Sequence, residues 1–473
     1  MFEILRSVRL RRLFLGETLL LMLVAILTAR LRIRWGFEPQ DSPTSGTWPY
    51  WIEVFFAGVT IPIAVQLALY YSGLYEKKSL VAGASLLVRL VLAHILAGVA
   101  LALLYYLVPR YRAQRLALGM AMAINCWLIF SLRHHVEEFI KAGTWRRRVL
   151  VIGTGRLAQW LGREVKRHPG SGYDVVGWLE DRPAGRPAAV GATLRGRPVL
   201  GSFQDVQEVV TRHRIDDVVF APDERRGHLQ LMSRLIDVKL SGTEVWSAQQ
   251  FTEMLLGCLP VELLHPSVFV FDSGFTQRPL SMAVKRMLDV TVSLVAILVA
   301  APILLLTALA IKLDDPGPAL YRQPRVGKGG KIFTIFKFRS MRVPRPGDAE
   351  RLTAMNDDRI TRVGRFIRLH RIDEIPQFFN VLRGDMSLVG PRPEVVYSVE
   401  EQRKAIPFYD QRHAIRPGIT SLGQVKFGAA VTHDEARERL KYDLYYQKNR
   451  SLVFDLSILL DTVKVVLLKV GAR

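Results

Sequence analysis

The sequence predicts a membrane protein of mixed class: four transmembrane helices, then a parallel α/β domain, then a mostly α-helical domain entered through a further apolar helix. Three observations lead there. Four apolar runs at about 13–29, 52–72, 86–108 and 116–132 each approach the roughly 20 residues that a helix needs to cross a bilayer. A buried-strand pattern, Val149 to Ile152, enters the glycine turn Gly153-Thr154-Gly155. Further on, Leu288 to Leu313 is almost wholly apolar but is interrupted by Pro302.

The 473 residues suit two to four domains, and a net charge of +22 with a pI near 10.2 calls for an acidic partner. Lys and Arg flank apolar segments along the whole chain instead of forming an arm, which argues against nucleic acid and for anionic headgroups and nucleotide diphosphates. Cys126 and Cys258, the only two cysteines, lie in different regions and suggest neither a disulfide framework nor a metal knuckle.

Residues 1–145 form the four-span region. No cleavage site precedes the first apolar run, so it is expected to stay as an anchor. Cations at the N-terminus, at Lys77-Lys78 and from Arg133 to Arg148 place both ends of this region in the cytoplasm. Arg89 and His94 lie within the third run, where a polar residue marks either function or, for Arg89 near the end, a side chain reaching for the interface.

Residues 146–250 alternate strand-like DVVGWLED, DDVVFAP and TEVWS with helix-like 203–212 and 226–239, the order of a Rossmann-like parallel domain. Gly153, Gly155 and Ala158 make a Gly-x-Gly-x-x-Ala turn, with Asp181 near a ribose-binding position. Gly153, Gly155 and Asp181 are therefore candidate nucleotide-binding positions, although the same glycines also serve tight strand–helix packing. Residues 251–280 read as a connector, and 281–473 as a catalytic domain.

The chemistry concentrates at Asp373-Glu374, surrounded in sequence by Arg365, Arg368, His370, Arg371, Arg383 and Arg392. One carboxylate can attack phosphorus while its neighbour helps hold a hard divalent cation, and arginine forks fit phosphate oxygens. Pro376 suits a first helical turn, which puts the pair at a helix N-terminus. Lys337 and Arg339 alternate with Phe336 and Phe338 as on a half-buried strand, so both should face the diphosphate, and Lys285 and Arg286 should meet lipid phosphate.

Several blocks together resemble one family. They are Lys285-Arg286-Met287-Leu288-Asp289, DDPGPALYRQPRVGKGGKIFTIFKFRSM (314–341), the Asp-Glu block continuing through Gly390-Pro391-Arg392-Pro393-Glu394, RPGITSLGQV (416–425), and Tyr442-Asp443. In this order they are similar to the bacterial sugar transferases known as long-form monotopic phosphoglycosyl transferases. Ser421 stands where that family commonly has glycine.

The resemblance implies a re-entrant helix-break-helix over 285–313, broken at Ala301-Pro302, that enters and leaves one leaflet. It implies transfer of a hexose 1-phosphate, glucose or galactose favoured, from a UDP-sugar to undecaprenyl phosphate through a covalent aspartyl phosphosugar. Asp373 would be the nucleophile and Glu374 the catalytic partner and ligand of Mg²⁺ or Mn²⁺. Lys285, Arg286, Arg325, Lys337, Arg339, Arg371, Arg392, Arg416 and Asp443 are the expected substrate-binding residues. A bacterial inner-membrane location is implied, with the catalytic domain on the cytoplasmic face. Downstream glycosyltransferases are expected as partners, and the spans and α/β domain offer surfaces for a homodimer. Two other readings compete: a membrane-anchored nucleotide-sugar dehydratase or epimerase, and a non-catalytic scaffold that binds polyprenyl phosphate.

Overall fold

The computed structural model describes residues 8–34, 50–72, 74–75, 83–107, 115–141, 146–168, 171–180, 191–222, 229–276, 279–342, 357, 359–428 and 432–468. The chain divides into two compact units between Phe251 and Thr252.

All four N-terminal apolar runs are helical: α1 (Val8–Arg34), α2 (Tyr50–Tyr71), α3 (Gly83–Leu107) and α4 (Arg115–Lys141). Each packs on the next, and α4 closes back against α1. Among the described residues two helices are long and apolar enough to cross a membrane: the stretch Leu86–Leu104 of α3, with mean hydropathy 2.4, and a later helix, Pro279–Asp314. Leu13–Thr28 and Gly58–Tyr71 are shorter apolar stretches. The fourth run falls below that mark while turning buried Asn125 and Arg133 inward. Arg133 Nε lies 2.6 Å from Glu17 Oε1, and its Nη1 donates to Leu74 O at 2.8 Å, so both buried charges are paired. Leu15, Leu19, Leu92, Leu96 and Val99 face outward, the inverse of a soluble bundle. Arg89 is exposed, whereas His94 is buried with Nδ1 2.8 Å from Leu90 O.

Next come β1 (Arg147–Ile152), α5 (Arg156–Arg167), β2 (Tyr173–Glu180), β3 (Thr193–Leu194), β4 (Arg197–Ser202), α6 (Val206–Arg212), β5 (Asp217–Phe220), α7 (Leu229–Leu240), β6 (Glu244–Ser247) and α8 (Ala248–Leu256). The sheet order is β3-β4-β2-β1-β5-β6, parallel except for β3 against β4. Val149 to Ile152 are wholly buried, as a central parallel strand requires. Gly153 sits at φ 121°, and a Cβ there would lie 2.3 Å from Ala221 O. Close approach of two strand ends therefore demands this glycine, a strand-to-strand contact where the sequence suggested strand–helix packing. Gly155 is the N-cap residue of α5, and Asp181 lies outside the described residues.

The second unit contains α9 (Pro266–Phe271), α10 (Pro279–Asp314), the antiparallel pair β7 (Leu320–Val326) and β8 (Ile332–Phe338), α11 (Arg362–Leu369), α12 (Gln377–Arg383), β9 (Ser387–Val389), α13 (Val396–Ala405), β10 (Gly418–Thr420), α14 (Leu422–Lys426), α15 (His433–Lys448) and α16 (Leu452–Leu468). Strands β9 and β10 pair in parallel. α10 is one hydrogen-bonded run of 36 residues with Pro302 inside it, so no non-helical gap separates two halves at Ala301 and Pro302. Its most apolar stretch has a mean hydropathy of 2.9, and with Leu298, Val299, Leu305 and Leu306 exposed this marks it as membrane-associated.

α16 is amphipathic in the reverse sense to a soluble helix. Asp455, Ser457 and Asp461 are buried while Val453, Leu456 and Val463 are exposed. That pattern fits a helix lying against a bilayer surface, with its polar residues turned into the protein. Ser421 caps α14 by accepting from Gln424 N at 3.0 Å with φ −141°, a conformation that needs no glycine.

Candidate active site

Asp373 and Glu374 lie on a tight 3₁₀ turn, Ile372–Glu374, with Pro376 at the N-cap position of α12. The pair thus precedes the helix instead of occupying its first turn. Ile372 packs with Ile311, Phe338 and Ile367, which pins the turn from beneath. Arg371 enters it in the left-handed region at φ 57°, a conformation that costs a non-glycine residue about 1 kcal/mol and recurs at functional sites.

Lys337 arrives from β8. The register of that strand against α12 is set by Asn380, which is fully buried. Its Oδ1 accepts from Phe336 N at 2.9 Å and its Nδ2 donates to Thr334 O at 2.7 Å, so the side chain stands in for a neighbouring strand. Lys337 Nζ then lies 3.2 Å from Glu374 Oε1. Arg392 Nη2 is 3.7 Å from the same oxygen and Arg371 Nη1 is 3.8 Å from Oε2.

These surroundings make the two carboxylates unlike. Burial, then the charge of Glu374, pushes the Asp373 carboxyl up to about 6 against the pull of Lys337, Arg368 and Arg371. Burial would raise Glu374 as well, but Lys337, Arg392 and Arg371 outweigh it and hold this carboxyl down at about 2. Burial also lowers the Lys337 ammonium from its ordinary range, in spite of Glu374. Two adjacent acids pushed apart in this way are suited to different roles.

Of the expected substrate-binding residues, Lys337, Arg371 and Arg392 therefore converge on the acidic pair, and the others do not. Arg339 ion-pairs with Asp315 at 3.0 Å and donates to Asp315 O, because it lies just past the end of β8. Arg325 donates to Pro393 O at 3.2 Å and supports the turn carrying Arg392. Asp443, only 1% exposed, is matched by Arg412 at 2.8 Å. Lys285 pairs with Asp455 at 2.7 Å and lies 3.8 Å from Asp289. Arg286 donates to Val381 O and Leu382 O at 2.6 and 2.9 Å, and Arg416 to Gly384 O at 2.9 Å, so both serve carbonyls at the C-terminal end of α12. Together with Lys328 and Arg450, these three cations line a separate cleft. Arg368, one of the cations that surround the pair in sequence but not among the expected substrate-binding residues, also acts on Asp373. It is brought there by Gly364, where a Cβ would lie 1.9 Å from Ser340 O, so α11 rests directly on the chain after β8.

Among the described residues no group of three or more His, Cys, Asp or Glu is placed to hold a metal ion. Two adjacent carboxylates suit a hard cation such as Mg²⁺, which commonly takes one or two protein oxygens and the rest from phosphate and water.

The family model for bacterial sugar transferases matches residues 280–469, the stretch that holds this site. The model described as a CoA-binding domain matches residues 71–223. The chain belongs to the bacterial sugar transferase family, and is an enzyme of the transferase class. Similar proteins include the UDP-N-acetylgalactosamine-undecaprenyl-phosphate N-acetylgalactosaminephosphotransferase of Aeromonas hydrophila, 42% identical over 234 residues. That alignment takes in 50% of this chain and only 55% of the Aeromonas protein. The UDP-glucose:undecaprenyl-phosphate glucose-1-phosphate transferase of Klebsiella pneumoniae is 34% identical over 330 residues, 69% of either chain. The exopolysaccharide production protein PSS of Rhizobium leguminosarum is 44% identical over 192 residues, which are 39% of this chain and 95% of that one.

Proposed function

We propose that this protein transfers a hexose 1-phosphate, glucose or galactose, from a UDP-sugar to undecaprenyl phosphate by two displacements at Asp373. The observation that carries the reading is the unequal acidic pair: one carboxyl raised to about 6 and a neighbour held ionised by Lys337, Arg392 and Arg371. Ionised Asp373 attacks the sugar-linked phosphorus, so that an aspartyl Oδ–P bond forms. The bond from that phosphorus to the bridging oxygen breaks, and the electron pair leaves with UMP. A phosphate oxygen of the polyprenyl acceptor then attacks the same phosphorus and releases the Asp373 carboxylate, leaving a lipid diphosphate sugar. Lys337 and Arg392 offset charge on the phosphoryl oxygens throughout. Glu374 and the substrate phosphates would hold Mg²⁺ or Mn²⁺, which supplies further neutralisation of those oxygens when bound.

In this reading α10 enters and leaves one leaflet, which keeps Asp373 on the cytoplasmic face of the inner membrane with the UDP-sugar. Support comes from its two ends. Arg286 near the start is bonded to α12, while Ile311 near the end packs on Phe338 of β8. α12 and β8 are joined through Asn380. A straight helix would set Arg286 and Ile311 about 37 Å apart, whereas a bend at Pro302 would return both to one domain.

The test mixes detergent-solubilised protein with Mg²⁺ and UDP-glucose, UDP-galactose or UDP-N-acetylgalactosamine, without acceptor, and follows UMP and intact mass. A stoichiometric burst with a phosphosugar mass increment, lost in Asp373→Asn, is expected. Turnover only when polyprenyl phosphate is present, with no burst, would overturn the covalent step and point to direct transfer.

A further inference from the structure

The turn Pro391 to Glu394 carries Arg392 to the acidic pair, but two of its four residues are proline and have no N–H to donate. It is held by its carbonyls instead, each from outside. Pro391 O accepts from Gly418 N at 2.9 Å, Arg392 O from Arg412 Nη2 at 3.0 Å, Pro393 O from Arg325 Nη1 at 3.2 Å, and Glu394 O from Val326 N at 3.0 Å. The donor on Arg392 itself is a side chain, and that side chain is locked. Arg412 is 3% exposed; its Nε and Nη2 reach Asp443 Oδ2 at 3.1 and 2.8 Å, and its Nη1 reaches the Tyr409 hydroxyl at 2.9 Å.

We propose that Arg412 is a positioning residue for Arg392, acting through the Arg392 carbonyl and fixed in turn by Asp443 and Tyr409; this inference rests on the reaction proposed above. None of the three touches the acidic pair. Arg392 stands 3.7 Å from Glu374, near the limit of an ion pair, so a small rotation of its peptide removes the interaction. The guanidinium makes four bonds from three nitrogens held in one plane, and a lysine ammonium, with three donors on a single nitrogen, cannot reproduce them. A role limited to neutralising buried Asp443 would instead affect folding and leave the reacting groups alone.

The test is a double-mutant cycle on UMP release by the solubilised full chain, using Arg412→Lys, Arg392→Gln and their combination. Arg412→Lys is expected to lower kcat about tenfold with KM within about twofold, a misplacement effect. On the Arg392→Gln background the same change should cost less than about twofold, because the group it positions is gone. Equal losses on both backgrounds, or unchanged kcat in folded Arg412→Lys, overturn the proposal. Tyr409→Phe removes one hydroxyl and leaves the ion pair, so it enters the same cycle and decides the matter if Arg412→Lys fails to fold. It should cost about threefold alone and nothing with Arg392→Gln, and equal losses there would again refute the role. Absence of UMP release from the wild-type chain with every UDP-sugar refutes the reaction itself, and the positioning role falls with it.

Discussion

At the scale of the residue, Asp373 and Glu374 are chemically near-identical neighbours that the fold makes different. Three cations reach Glu374, while Asp373 has burial and a neighbouring negative charge to contend with. An attacking carboxylate must be ionised, so kcat/KM for UMP release should rise about tenfold per pH unit up to a shoulder near pH 6 and then level. A flat profile between pH 5 and 7.5 would remove Asp373 from the attacking role. The same raised value carries a stability cost. The folded state binds the Asp373 proton more tightly than the unfolded state, so the cost is absent below the ordinary aspartate range and complete above about pH 6. Asp373→Asn should therefore be more stable than wild type at pH 7, by about 2 kcal/mol, and melt correspondingly higher, with no difference at pH 3.5. Equal melting temperatures at pH 7 would contradict the burial argument.

At the scale of the element, the site depends on β8 keeping its register against α12, and Asn380 holds that register with two main-chain hydrogen bonds from a fully buried amide. Replacing it by alanine strands Phe336 N and Thr334 O. Asn380→Ala should cost about 2–3 kcal/mol, seen as a melting temperature lower by about 5–10 °C, and should slow UMP release by displacing Lys337. Full activity with lowered stability would show that Lys337 keeps its place without this tie. α16 obeys the same logic in reverse: its Asp455 carboxylate turns inward to Lys285 and Tyr446, so its apolar face is left for the bilayer.

At the scale of the whole molecule, every group assigned to the chemistry lies in the unit from Thr252 onward. The Rhizobium relative aligns over 95% of its own length with 39% of this chain, so a similar protein much shorter than this chain exists. Residues 252–473 alone should retain the UMP burst within about threefold in detergent. A loss beyond about tenfold in folded material would assign the first unit a part in the reaction.

What the sequence determined by itself is what local rules encode. The adjacent acids, the prolines at 391 and 393, the strand entering Gly153 and the apolar runs are all written in neighbouring residues, and the period of an element or the geometry of a turn follows from them. The choice of partners was decided by the tertiary structure. Nine residues were expected to bind substrate, yet Lys337, Arg371 and Arg392 meet at Glu374, while Arg339 is bound to Asp315, Asp443 to Arg412 and Lys285 to Asp455. Arg412, absent from that set, turns out to brace the Arg392 turn. The physical reason is that a charge can be recognised in a sequence but its partner cannot: which side chains share a buried volume depends on the packing of segments 30 to 170 positions apart, and burial then sets which pairings are worth most.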